Sequence, residues 1–137
     1  MTNPIEQSIT TATLEALDFS ALRTGSDPAM FNILAPTRLT APSTGWYQVS
    51  GSVRWIANEI GFRTLAIRQN GLTNIVEETV AAITGEGVAT TQSLSTLWYL
   101  LAGEYVELTV FQDSGVSLDI QSIPAASPEF GMVHVSS

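Results

Sequence analysis

Residues 46–58 alternate strictly. Tyr47, Val49, Gly51, Val53, Trp55 and Ala57 share one parity, and Gln48, Ser50, Ser52, Arg54 and Asn58 share the other. Successive strand side chains point to opposite faces, so the pattern predicts a strand with one buried and one wetter face. The signal recurs in short runs. Residues 62–69 place Leu65 and Ile67 inward, residues 75–83 follow, and Asn70-Gly71 lies between them. That dipeptide tolerates the positive φ angles of a type I′ turn, so the two runs predict a hairpin. Residues 90–101 form a long strand closed by Ala102-Gly103. Residues 104–112 then set Val106, Leu108 and Val110 against Tyr105, Glu107, Thr109 and Phe111 on the other face. Asp113-Ser114-Gly115 predicts another hairpin turn into a strand over 116–123. Residues 124–128 read as a loop and 130–135 as a last strand.

Near the N-terminus, residues 9–19 carry Ile9, Leu17 and Phe19 on one face. Thr10, Thr11 and Thr13 are poor helix formers, so this stretch is expected to be a strand. Residues 23–27 and 85–87 read as loops, and short edge pieces flank Pro36 and Pro42. The count is eight to ten strands with no helix. The expected fold is all-β, an antiparallel jelly-roll β-sandwich forming one domain over 1–137, with 1–7 as a flexible N-terminal arm.

Composition narrows the function classes. The chain has 137 residues, 45% of them hydrophobic, enough for a core without cross-links. It has no cysteine, so it forms neither a disulfide nor a thiolate metal site. Thirteen acids against five bases give a net charge of −8, and all five bases are scattered arginines. Such a surface repels phosphate backbones and anionic membranes, so no nucleic acid partner is expected. No apolar run reaches the roughly 20 residues of a membrane span, and no signal peptide is visible. Work outside a cell would then follow lysis or assembly into a larger particle.

Little in the chain suggests catalysis. His134 is the single histidine, and no Gly-x-Ser-x-Gly elbow occurs. Glu77 and Glu78 are adjacent, which in a strand sends them to opposite faces. Asp113 and Asp119 match no calcium loop, and Gly85-x-Gly87 precedes no helix that could hold a phosphate. No catalytic residue, cofactor or metal is expected, and the chain is read as a non-enzyme.

The order of the segments carries a resemblance. Arg38-Leu39-Thr40-Ala41-Pro42 precedes Gly45-Trp46-Tyr47-Gln48-Val49, and residues 63–68 lead into Asn70-Gly71. Leu100-Leu101-Ala102-Gly103-Glu104-Tyr105-Val106-Glu107-Leu108 and Ser127-Pro128-Glu129-Phe130-Gly131-Met132-Val133 complete the series. Over residues 7–135 this resembles the trimeric jelly rolls of the complement one-q and tumour necrosis factor superfamily, above all those of bacteriophage head and tail structural proteins. The resemblance implies a homotrimer with one sheet of each protomer facing the threefold axis. It also implies a place on the virion surface and the major capsid protein or another virion component as partner. No collagen-like stalk precedes the first strand, as in a free-standing protein or an excised head.

Residues 97–101 (Leu-Trp-Tyr-Leu-Leu) are apolar on both parities, and a lone antiparallel sheet normally keeps one wetted face. Apolar surface on both faces suggests that copies of the chain cover each other. Trp98, Tyr99, Leu101, Tyr105, Phe111 and His134 are the expected interface residues. The expected function is a capsid decoration protein or a head or tail appendage, gripping its particle by the N-terminal arm or a loop edge. The alternative is a receptor- or glycan-binding head with its site in loops 23–31, 58–62, 85–88 and 124–129. Trp46 or Trp98 could then stack on sugar, although core packing is the expected place for both.

Overall fold

The computed structural model describes residues 1–22, 27–124 and 126–137. Among the described residues there are ten strands: β1 (Gln7–Ile9), β2 (Glu15–Ala16), β3 (Arg38–Thr40), β4 (Gly45–Trp55), β5 (Phe62–Gln69), β6 (Thr73–Ala81), β7 (Thr90–Leu100), β8 (Tyr105–Gln112), β9 (Leu118–Ile120) and β10 (Glu129–Ser136). They form two five-stranded sheets with every pairing antiparallel. In sheet I, β4 is central. β7 lies along one side of it, β10 and β9 share the other side, and β1 lies beyond β9. In sheet II the order is β6, β5, β8, with β2 and β3 both beyond β8. The chain changes sheet between most consecutive strands, which makes an antiparallel jelly roll, as the alternation predicted.

Alternation also decides what fills the sandwich. Tyr47, Val49, Val53 and Trp55 of β4 meet Leu65 and Ile67 of β5 and Val106, Leu108 and Val110 of β8, all fully or almost fully buried. The inward position of β4 opposite Leu108 is Gly51, where a Cβ would sit 2.5 Å from Leu108 Cδ1. Glycine there makes room for the leucine of the facing sheet.

The hairpin at residues 70–71 forms as expected, with Asn70 at φ 53° and Gly71 at φ 69°, the left-handed pair of a type I′ turn. Two expectations need correction. The stretch over 9–19 breaks at Ala12 (φ 55°), so that β1 joins sheet I and β2 joins sheet II. Its apolar residues Ile9, Leu17 and Phe19 are nonetheless all buried. Asp113-Ser114-Gly115 does not close a hairpin: β9 leaves β8 behind and pairs with β1 and β4 in the other sheet.

The N-terminal arm is also corrected. Met1 and Asn3 are buried, and Thr2 bridges Ala21 and Glu129. The terminal amine donates to the Phe130 carbonyl, and Asn3 Nδ2 donates to Asp18 O at 2.8 Å. The first three residues therefore lie along the start of β10, held by backbone bonds that an extended segment supplies at low cost. The loop expected over 23–27 falls mostly on residues 23–26, outside the described residues. Among the described residues no helix is long and apolar enough to cross a membrane.

Candidate functional site

The outer face of sheet I is graded from apolar to polar in rows set by strand register. In the first row Trp46 faces Tyr99 across β4 and β7, with ring centroids 5.5 Å apart and planes at 69°. In the next row Gln48 lies between Leu97 and Val133. Ser50 then lies between Ser95 and Gly131, and Ser52 between Ser93 and Glu129. Arg54 opposite Thr91 closes the series, its Nε donating to Gln121 Oε1 at 2.9 Å. The apolar end is open to solvent in the single chain: Trp46 is 42% exposed, Tyr99 44%, Leu97 50% and Val133 63%. The serine and glycine rows have short side chains, and they line part of a broad groove of about 960 Å³.

β7 borders this face, and among the described residues it pairs within its sheet with β4 alone. Its eleven residues, TTQSLSTLWYL, include no charge, proline or glycine, and its register with β4 runs without a bulge. Monomers usually protect such an edge with charges, prolines or bulges, because its free N–H and C=O groups invite another chain.

The six expected interface residues do not share this face. Tyr99 and Leu101 are exposed, Tyr99 within the apolar corner and Leu101 just past the end of β7. Trp98 points inward, half-buried against the core, with Nε1 donating to Gln69 Oε1 at 3.2 Å. His134 is on the inward parity of β10, its ring 5.0 Å from that of Tyr47. Tyr105 and Phe111 belong to the outer face of sheet II, on the far side of the sandwich. Arg38 covers Tyr105 with its guanidinium 4.0 Å from the ring centroid, and Phe62 stacks on Phe111 at 5.7 Å. The six expected interface residues are divided between the two sheets, because β7 and β8 follow each other in sequence but lie in different sheets.

Leu97 and Val133 were missed, and Trp46, expected in the core, is exposed instead because its parity on β4 faces outward. The available signal was an aromatic or aliphatic residue in phase with polar neighbours, as Trp46 is with Gln48, Ser50 and Ser52. Two buried polar residues were missed by the converse signal, a polar residue in phase with apolar ones. Gln92 lies inside, where its Oε1 accepts from Trp55 Nε1 at 2.9 Å and its Nε2 reaches the carbonyls of Arg63 and Glu78, each at 3.2 Å. Arg63 is fully buried beside the Trp55 ring. Desolvation lowers its pKa from the ordinary value, partly offset by the charge of Asp113. Glu77 accepts from Asn74 at 2.8 Å, while Glu78 turns inward. Asp113 Oδ1 accepts from Phe62 N at 2.7 Å. Among the described residues no three His, Cys, Asp or Glu side chains group as metal ligands.

No protein-family model matches the sequence, and a search of curated proteins finds no match. Solved structures do match. The Eiger TNF from S. frugiperda superposes with a TM-score of 0.66 at 12% identity, covering 96% of this chain and 85% of that one. Murine APRIL superposes with a TM-score of 0.69 at 11% identity, covering 98% of this chain and 95% of that one. The chain thus has a TNF-like jelly-roll fold.

Proposed function

We propose that this chain is a non-enzymatic module that assembles as a homotrimer through the outer face of sheet I, and that the trimer decorates a virion as a bacteriophage capsid cement or a head or tail appendage. The observation that carries the reading is the joint placement of the Trp46–Leu97–Tyr99–Val133 corner and the unguarded edge of β7. A closed ring of three needs two different surfaces that meet, one from each neighbour. The apolar face and the adjoining β7 edge are such a pair. Covering each half-exposed side chain contributes on the order of 1 kcal/mol, enough in sum to favour association once ordering costs are met. The virion role draws on the motif resemblance and the acidic surface, with the major capsid protein as partner. A docked N-terminus leaves the grip on the particle to a loop edge.

Light scattering on the purified chain tests the assembly: three chain masses are expected, and one chain mass at micromolar concentration removes the proposal. Exposed Trp46 beside Gln48 and Ser50 also suits stacking on a sugar. Reproducible signals on a glycan array, lost in Trp46→Ala, would favour the recognition reading over decoration.

A further inference from the structure

A second apolar surface lies on the other sheet and at the other end of the sandwich. Phe62 pairs with Ala81 at the end of the β5–β6 ladder, and Ala82 N donates to Gly61 O at 2.9 Å. Ile60 and Ile83 lie just beyond this end of the ladder, one before β5 and one after β6. Phe62 stacks on Phe111, and continuing the β2–β8 register brings Leu14 beside Phe111. Ile60 is 62% exposed, and Leu14, Phe62 and Ile83 are open as well.

The corner is rigidly presented. The buried Arg63 guanidinium donates to the carbonyls of Ile60 at 2.9 Å, Phe62 at 3.2 Å and Asn58 at 3.0 Å. Asp113 Oδ1 takes the Phe62 N–H, and Glu59 Oε1 takes the Gly85 N–H at 2.7 Å, tying the two loops together. A surface held in place this way loses little entropy on binding. Its rim is acidic: Glu59, Glu86 and Asp113 are exposed, and Glu59 and Glu86 line a shallow recess of about 510 Å³ between the loops. Arg63 lies buried beneath this corner with its guanidinium on loop carbonyls, and Arg54 bonds Gln121 on the outer face of sheet I.

We propose that this corner docks a second protein whose contact segment is apolar at its centre and carries Lys or Arg at its rim. Apolar side chains would cover Ile60, Phe62 and Ile83, and a cationic side chain would enter the recess between Glu59 and Glu86. The surface is separate from the face assigned to self-association, so a trimer would present it three times and gain avidity.

The test is selection of random peptides displayed against the purified full chain. Peptides combining Arg or Lys with Leu or aromatic residues are expected to be enriched. Their affinity should drop about tenfold or more for Ile60→Ser/Ile83→Ser, and should fall with added salt. The variant Glu59→Gln/Glu86→Gln/Asp113→Asn keeps the acceptor oxygens, and it should bind the same peptides several-fold more weakly. It carries the test alone should the serine variant unfold. Enrichment of acidic or uncharged peptides, no enrichment, or binding indifferent to these substitutions overturns the proposal. Mass measured on the same sample separates the two readings: a monomer that still selects basic apolar peptides leaves this surface standing and removes only the trimer.

Discussion

Trp46 and Tyr99 sit directly opposite each other on β4 and β7, edge to face at 5.5 Å, on the outer side of a sheet where water would be expected. The pair marks the apolar end of a face that turns to serine within two rows. Tyr99→Ser and Leu97→Glu should each lower the mass of the assembly to one chain with circular dichroism unchanged, because neither side chain fills the core. An unaltered mass from both would place the interface elsewhere.

Gly51 should not accept a methyl group. Its Cβ would press on Leu108 in the middle of the sandwich, and overpacking of this kind costs about 1–3 kcal/mol. Urea unfolding of Gly51→Ala should show that loss. Part of it should return in Gly51→Ala/Leu108→Ala relative to the sum of the single changes. Strict additivity would mean that the two sites do not press on each other.

The buried bond between Trp55 and Gln92 predicts a second coupling. Gln92→Leu leaves the indole N–H and two strand carbonyls without a side-chain partner, at a cost of about 1–3 kcal/mol. Trp55→Phe/Gln92→Leu should cost less than the two single changes added together, as read from denaturation midpoints. Equal costs would show that the bond contributes nothing net.

Glu104 gives a pH prediction. Its carboxylate accepts from the Leu101 N–H at 2.7 Å, Asn70 Nδ2 at 2.9 Å and Gln69 Nε2 at 2.8 Å. These bonds, the backbone one first, hold its pKa below the ordinary 4.5 despite some desolvation. A carboxyl depressed in the folded state adds stability that is complete above its unfolded pKa and disappears as pH falls through the folded value. The melting temperature of the wild type should exceed that of Glu104→Gln above the ordinary carboxylate range, with the gap closing as pH falls below it. A gap that widens on acidification would reverse the sign assigned to this group.

The alternating parity of residues 46–58 and 104–112 predicted most of the buried side chains, because strand geometry sends neighbours to opposite faces whatever the partners are. Ala57, past the end of β4, is nonetheless exposed, and Thr109, on the outer parity of β8, is buried. Those local signals, with the Asn70-Gly71 turn, carried the jelly-roll class, the hairpin and most strand bounds. Sheet membership was beyond their reach. Whether β8 lies beside β7 or across the core from it depends on long-range pairing, and that choice separated Tyr105 and Phe111 from Tyr99. The same choice put β9 with β1 rather than β8, docked Met1 along β10, and turned Arg63 and Gln92 into a buried bracket.

The pattern in the chain thus determined an inside and an outside for strands that alternate, such as β4 and β8, but not for residues 97–101, which are apolar on both parities. Only the packed structure decided which outsides adjoin, since that depends on which strands pair and in what register. Trp46, Leu97, Tyr99 and Val133 form one surface because β4, β7 and β10 are neighbours. Phe62 and Phe111 stack on the other sheet because β5 and β8 are.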